Sequence, residues 1–274
     1  MTTLLKKISI ASLIGLSLTT LPAMANDDTL GTYGFDDEEA PACASTPLPT
    51  GASFAVVYPD CGYTQGLALI KKDDKYGFVD ESGKLIIPAI YQEAHPFSDD
   101  LALIKQADKY GYIDKSGKIA IKPQYTDAWG FWEGRAKIEQ NGKYGFIDTT
   151  GKIVIKPTYT MTGDWFEDGL VLFKQGNQYG FLDKSGKVAI KPQFDSAKDF
   201  AEGRAAVSKK TGKKDADGEE LHQFGFIDKT GKVVIPIKYD LASDFVEGAA
   251  FVIEGEQVYF IDKDGKPTKM PNYN

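Results

Sequence analysis

The chain has 274 residues, with 32 Lys and Arg against 39 Asp and Glu, a formal net charge of −7 at pH 7. An excess of acid argues against affinity built on phosphate contacts, and so against nucleic acid or anionic membrane surfaces as partners. With two cysteines and two histidines, a metal centre of clustered His and Cys ligands has no support.

The first residues carry Lys6-Lys7, an apolar run from Ile8 to Leu21, then Pro22-Ala23-Met24-Ala25. A basic start, a short apolar stretch and an A-x-A site predict a cleaved secretory signal peptide over residues 1–25. The run is short for a membrane span. Cleavage would remove two lysines and no acid, leaving 249 residues of net charge −9. Nothing later is apolar enough to cross a bilayer, so a soluble exported protein, not membrane-spanning, is expected.

Residues 26–65 form an acidic and then Pro-rich segment, with Asp36-Asp37-Glu38-Glu39 followed by Pro41, Pro47 and Pro49. Such composition buries little apolar surface. Cys43 and Cys61 are the only cysteines, and an even count in an exported chain predicts one disulfide. A bridge closing a loop of this size contributes about 3 kcal/mol in the chain-entropy treatment. The segment is therefore expected to be a disulfide-stapled cap. Strands are expected at Phe54–Tyr58 and at Gly66–Ile70.

From residue 66 to 274 the chain repeats. The core Tyr76-Gly77-Phe78 returns as Tyr110-Gly111-Tyr112, Tyr144-Gly145-Phe146, Tyr179-Gly180-Phe181 and Phe224-Gly225-Phe226, with a worn copy at Val258-Tyr259-Phe260. The steps are 34, 34, 35, 45 and 34 residues, and such a period marks a repeat architecture. Each copy leads to a D-x-[ST]-G-K turn, as at Asp148–Lys152, with Asp264 replacing Ser or Thr in the last, which suits a hairpin loop of about three residues ending in a left-handed glycine. An alternating β-branched run follows, as in Lys187–Lys191, and a proline such as Pro157 is expected to stop it. A longer connection then reaches F-x-[DE]-G, as in Phe131-Trp132-Glu133-Gly134, and a third apolar run. Phe97-Ser98-Asp99-Asp100 has lost the glycine. The fifth copy adds residues 209–223, read as a charged, exposed loop tip.

Short, evenly spaced strands without helical periodicity predict an all-β protein. Six three-stranded antiparallel meanders would stack as an open, solenoid-like array, each covering its neighbour's apolar face. The alternative is a closed β-propeller. The open stack is favoured, because 34 residues are short for a propeller blade and the two ends differ from the middle.

The aromatic-Gly-Phe-Ile-Asp core, the [ST]-G-K turn, the I-x-P-x-[YF] run and the F-x-E-G step, in fixed order over residues 66–265, resemble the WG repeat family of bacteria. Here Tyr or Phe stands where the family usually has Trp. The resemblance implies a scaffold in the periplasm or outside the bacterial cell, with no common enzymatic activity, no cofactor and no catalytic residues to carry over.

The residues themselves give no catalytic constellation, and no enzyme is expected. Neither His95 nor His222 has a nucleophile and an acid at suggestive spacing. Asp215-Ala216-Asp217-Gly218 is half a calcium loop, without the remaining acidic positions. The turn aspartates are read as backbone-bonding turn residues. Recurring aromatics such as Tyr144, Phe146 and Tyr159 are read as core.

Trp129, Trp132 and Trp165 are different, because the repeat does not require them. The Trp132 slot elsewhere holds Ser98, Glu167, Ala201 or Val246, and the Trp165 slot holds Pro96, Gly130, Asp199 or Asp244. Large aromatics at optional surface positions suit interfaces and sugar-stacking sites. These three are the candidate ligand-binding residues. A partner protein or an envelope component is the leading ligand, and a glycan is the alternative.

Overall fold

The computed structural model describes residues 45–56 and 61–271. The signal peptide, the acidic run and Cys43 lie outside the described residues.

The described residues form six antiparallel sheets in chain order. The first pairs β1 (Ala52–Phe54), β2 (Leu67–Lys72), β3 (Lys75–Asp80) and β4 (Leu85–Tyr91). The second pairs β5 (Glu93–Ala94), β6 (Leu101–Gln106), β7 (Lys109–Asp114) and β8 (Ile119–Tyr125). The third uses β9 (Asp127–Ala128), β10 (Ala136–Gln140), β11 (Lys143–Ile147) and β12 (Ile153–Tyr159). The fourth has only β13 (Leu170–Gln175), β14 (Gln178–Asp183) and β15 (Val188–Phe194). The fifth has β16 (Ser196–Ala197), β17 (Ala205–Lys214), β18 (Glu220–Ile227) and β19 (Val233–Tyr239). The sixth has β20 (Leu241–Ala242), β21 (Ala249–Glu254), β22 (Gln257–Asp262) and β23 (Pro267–Thr268). Among the described residues the buried clusters join each sheet to the next and none joins the sixth to the first, so the series is open and not a closed ring.

The expected meander is present in every repeat. The two-residue strand that four of the sheets gain ahead of the meander is too short to show any periodicity in the sequence. In the first sheet that place is taken by β1, three residues long and centred upstream of the expected strand at Phe54–Tyr58.

The third apolar run reads as unbroken, as in Leu101-Ala102-Leu103-Ile104, because its strand is covered on both faces. Leu67, Leu69, Phe78 and Ile87 face the second sheet, whose Ala102, Ile104 and Ile113 close the same cluster. Ala68, Ile70 and Val79 point the other way, where Leu48, Ala52, Phe54 and Tyr63 cover them. Leu48, Ala52, Phe54 and Tyr63 thus occupy the face that a preceding sheet would occupy. Cys61, in this cap, is fully buried.

One ring pair recurs at every joint. The second aromatic of the repeat core packs on the Phe of the next F-x-[DE]-G step: Phe78 on Phe97, Tyr112 on Phe131, Phe146 on Phe166, Phe181 on Phe200 and Phe226 on Phe245, with centroids 4.8–5.1 Å apart. Full burial of such a ring contributes about 1.5–3 kcal/mol, and the tilted geometry up to about 1.5 kcal/mol more.

Two expectations are corrected. The proline does not end its strand: β12 runs through Pro157 to Tyr159, and three residues, Lys156 to Thr158, stand opposite the single Gly145. This bulge removes the need for a proline N–H, which is how Pro fits inside the sheet. It also explains the core glycine. A Cβ on Gly145 would strike the Ile155 carbonyl oxygen and lie 2.6 Å from the Pro157 nitrogen. Backbone of the next strand, and not neighbouring aromatics, excludes a side chain there.

The second correction concerns residues 209–223. They prolong the hairpin, with Lys210 opposite His222 and Lys214 opposite Glu220, so the insertion is paired strand and not irregular loop. Its tip repeats the turn chemistry of the other copies. Asp215 Oδ1 accepts the N–H groups of Asp217 and Glu219, as Asp148 Oδ1 accepts those of Thr150 and Lys152. Five turn aspartates also take a Ser or Thr hydroxyl, and that bond is the main cause holding their carboxyls below the usual range.

The F-x-[DE]-G step is a two-residue hairpin turn with both central residues left-handed, φ 49° at Glu133 and 76° at Gly134. Its acid reaches the next repeat. The Gly134 N–H donates to Asp99, Gly169 to Glu133, Gly203 to Asp168 and Gly248 to Glu202, at 2.6–3.0 Å. Each copy therefore docks a carboxylate on the backbone of its successor.

Candidate functional site

The joint between the third and fourth sheets departs from this regularity. On the face of the third sheet, the slot filled by Leu69, Leu103 and Leu172 in other copies holds Lys137. Lys137 is only 4% exposed. Its Nζ lies 4.5 Å from the Trp129 ring centroid and 4.2 Å from that of Tyr144. It donates to Asp164 Oδ1 at 2.6 Å and to the Thr162 carbonyl at 3.4 Å. A buried ammonium is tolerable only with such compensation: a carboxylate, a carbonyl and two π-faces.

The linker that delivers Asp164 is one residue longer than the others. Trp129, Gly163, Lys198 and Ser243 donate equivalent N–H bonds to Lys137, Leu172, Ala206 and Phe251. By that register Gly163 stands at the Trp129 position, Asp164 aligns with Asp199 and Asp244, and Trp165 is the extra residue. The same irregularity reduces the fourth sheet's edge strand to a single bridge, Thr162 to Phe173.

The three tryptophans fall around this joint, all half-buried. Trp129 packs edge-on to Tyr144 at 5.9 Å. Trp132 pairs with Arg135 across its turn, in the slot that holds Glu167 in the next repeat. Its Nε1 is buried without a well-formed hydrogen bond, and the Glu167 carboxylate lies beside it. Trp165 follows Asp164 directly. Phe131 and Phe166, which anchor these loops, are buried in the core.

Acid accumulates on the same side. Asp199 Oδ1 is buried without a well-formed hydrogen bond, although the Leu172 N–H lies beside the carboxylate and the Lys137 charge is within reach of it. Burial first, then the neighbouring Asp164 and Asp244, push its carboxyl up to about 6. Burial also raises Glu167, with help from Glu133, Asp199 and Asp168. Lys137 and Asp199 were missed in reading the sequence. The signal for Lys137 was present, as a charge in a slot that is otherwise apolar. The setting of Asp199 depends on what faces it across the joint, which no local pattern records.

Elsewhere, Ser208 Oγ lies 2.9 Å from His222 Nδ1, but Ser208 is fully buried and its oxygen offers a substrate no approach. A groove of about 970 Å³ runs along the prolonged hairpin, lined in part by Thr211, Lys213, Leu221 and His222. Among the described residues no group of three or more His, Cys, Asp or Glu side chains is placed to hold a metal ion. No helix among them is long and apolar enough to cross a membrane.

Comparison with known proteins places this geometry. No curated protein matches the chain. A eukaryotic initiation factor has a similar structure, with a TM-score of 0.50 and 14% identity over 77% of this chain. The chain spans 63% of that protein's length, and the likeness is one of fold alone. Kluyveromyces lactis Hsv2 gives a TM-score of 0.40 at 8% identity, covering 72% of this chain and 71% of that one. The Pan2 WD40 domain of Neurospora crassa gives 0.34 at 11% identity, covering 76% and 77%. The family described as WG containing repeat matches residues 76–110, 110–144, 144–179, 179–213 and 224–256 in succession, and the chain belongs to that family.

Proposed function

We propose that this is an exported, non-catalytic repeat protein that binds a partner protein or envelope component at the joint between its third and fourth sheets. The observation that carries this reading is the gathering of Trp129, Trp132 and Trp165 at one irregular joint, all half-buried. A core-packing role asks for the same residue at the same slot in every copy, as the recurring ring pairs have. Indoles that occur once each, on the one linker with an extra residue and on its neighbour, answer to something outside the repeat. Removal of residues 1–25 and pairing of Cys43 with the buried Cys61 belong to the same reading.

The test is capture from the exported fraction with the wild-type chain and with Trp165→Ala, alone and combined with Trp132→Phe. A retained component that the variants lose, with unchanged melting curves, supports the proposal. Equal retention by all three chains overturns it.

A further inference from the structure

The outer face of the sixth sheet departs from the other five. In those sheets the second aromatic of the repeat core is fully buried, as Phe78, Tyr112, Phe146, Phe181 and Phe226, because the next sheet covers it. In the sixth the same slot holds Phe260, which is only half-buried. Its ring lies edge-on to that of Phe251 at 5.9 Å, and among the described residues no Phe of a following F-x-[DE]-G step packs on it.

The slots around Phe260 have also changed. Phe251 stands where Leu69, Leu103 and Leu172 stand in other copies. Two residues on, Ile253 takes the place of Lys71, Lys105 and Lys174. Opposite it, Val258 replaces the first aromatic of the repeat core and is 60% exposed. The end of a repeat stack stays soluble by turning polar on its outer face. This face turns apolar instead, which marks an interaction surface.

Charge and shape point to the occupant. Ala249, Phe251, Ile253, Val258 and Phe260 put no charge on the face, so it offers nothing to select a partner of opposite sign. A two-fold interface presents the same patch from both sides, and any charge on it would meet a patch of like sign. Ile253 removes the lysine that would do so. Identical sheets share one twist, and two of them can pack face to face in the aligned manner of a sandwich. Head-to-tail growth is blocked, because Leu48, Ala52, Phe54 and Tyr63 already cover the first sheet's Ala68, Ile70 and Val79.

We infer that two copies of this chain associate through the outer faces of their sixth sheets, burying Phe251, Ile253, Val258 and Phe260. Two six-residue strands flanked by two short ones give a face of about 20 Å by 14 Å. That is small beside the interface of a permanent dimer, so the association is reversible. The inference is independent of the tryptophan joint, which is built on other sheets.

Sedimentation velocity of the chain purified from the exported fraction, from low micromolar to submillimolar concentration, tests it. Monomer should give way to a discrete dimer. Both copies are acidic, so added salt should strengthen the dimer by screening their repulsion. Ile253→Lys restores the residue that other copies carry in that slot, which keeps the fold, and should weaken the dimer at least about tenfold. Val258→Lys, at an exposed position, should do the same. Val188→Lys, at an exposed apolar residue of the fourth sheet, and Trp165→Ala should leave it unchanged. A monomer at every concentration overturns the inference and leaves the face to another occupant, either residues before 45 or a different protein. A dimer untouched by both Ile253→Lys and Val258→Lys overturns it as well, and so does growth beyond two copies.

Discussion

Between the second and third sheets Leu103 fills the slot that Lys137 fills between the third and fourth. Around Leu103 the joint is dry: Tyr112, Ile121, Phe131 and Ala136 close over it. Around Lys137 the same slots enclose a cation, its carboxylate and two aromatic faces. A buried leucine stabilises by about 1.5–3 kcal/mol with no orientation required. A buried ion pair gains little net, because desolvation of the charges offsets their attraction. What the second joint obtains is geometry, since the ammonium must meet Asp164 and the Thr162 carbonyl together. The repeat thus separates two roles: regular joints hold the stack, and the irregular one holds side chains in a defined constellation.

The largest effect expected is at Gly145, which belongs to the sheet shared by both joints. Gly145→Val drives a side chain into the Ile155 and Pro157 backbone, and a loss above about 4 kcal/mol, or no folded protein, should appear in denaturant melts. A stable Val variant would show that the bulge yields. Next come the ring anchors. Phe131→Ala and Phe166→Ala should each cost about 3–5 kcal/mol, one at the dry joint and one at the polar joint. Equal losses would mean that the ring pair, and not the surrounding slot, sets the strength of a joint.

Lys137 carries the contrast itself. Lys137→Ala should destabilise by about 2–3 kcal/mol, mostly through the void, because Asp164 keeps partial access to water. Lys137→Leu with Asp164→Asn should convert the polar joint to a dry one at little or no loss, read from the same melts. A loss as large as that of the alanine variant would show that the pair is a net stabiliser.

The smallest effect depends on pH. The carboxyl of Asp199 is raised to about 6 in the folded chain, above its unfolded value, so the folded state binds that proton more tightly. Its stabilising contribution is therefore complete below about pH 4 and is lost as pH rises through about 6. Asp199→Asn should accordingly be more stable than wild type at pH 8, by up to about 2 kcal/mol, with the advantage vanishing near pH 4. Parallel stability curves across that range would place the Asp199 carboxylate in contact with water.

Most of the architecture was legible because it is repetitive. Turn aspartates, hairpin glycines and the Phe anchors each recur six or five times, and a residue needed at every joint announces itself by its slot. The proline was misread because its role depends on a bulge in the partner pairing, opposite Gly145, and pairing across strands leaves no periodic trace. The prolonged hairpin was misread because its charged residues look like a loop when neither face is buried. At the site, the tryptophans stood out as exceptions to the repeat. Lys137 would have stood out by the same comparison, whereas the burial of Asp199 appears only once Gly163 and Leu172 are placed opposite it.

The carboxylate that each F-x-[DE]-G turn lays on the next turn's N–H makes every repeat both a plug and a socket. Such a coupling is indifferent to which copy follows, so repeats can be duplicated or lost in register without redesigning the seam. Only the ends and the exceptions carry identity. A gene encoding this chain can therefore lengthen or shorten its array freely on either side of residues 129–199, and the number of repeats can drift while the one irregular joint stays fixed.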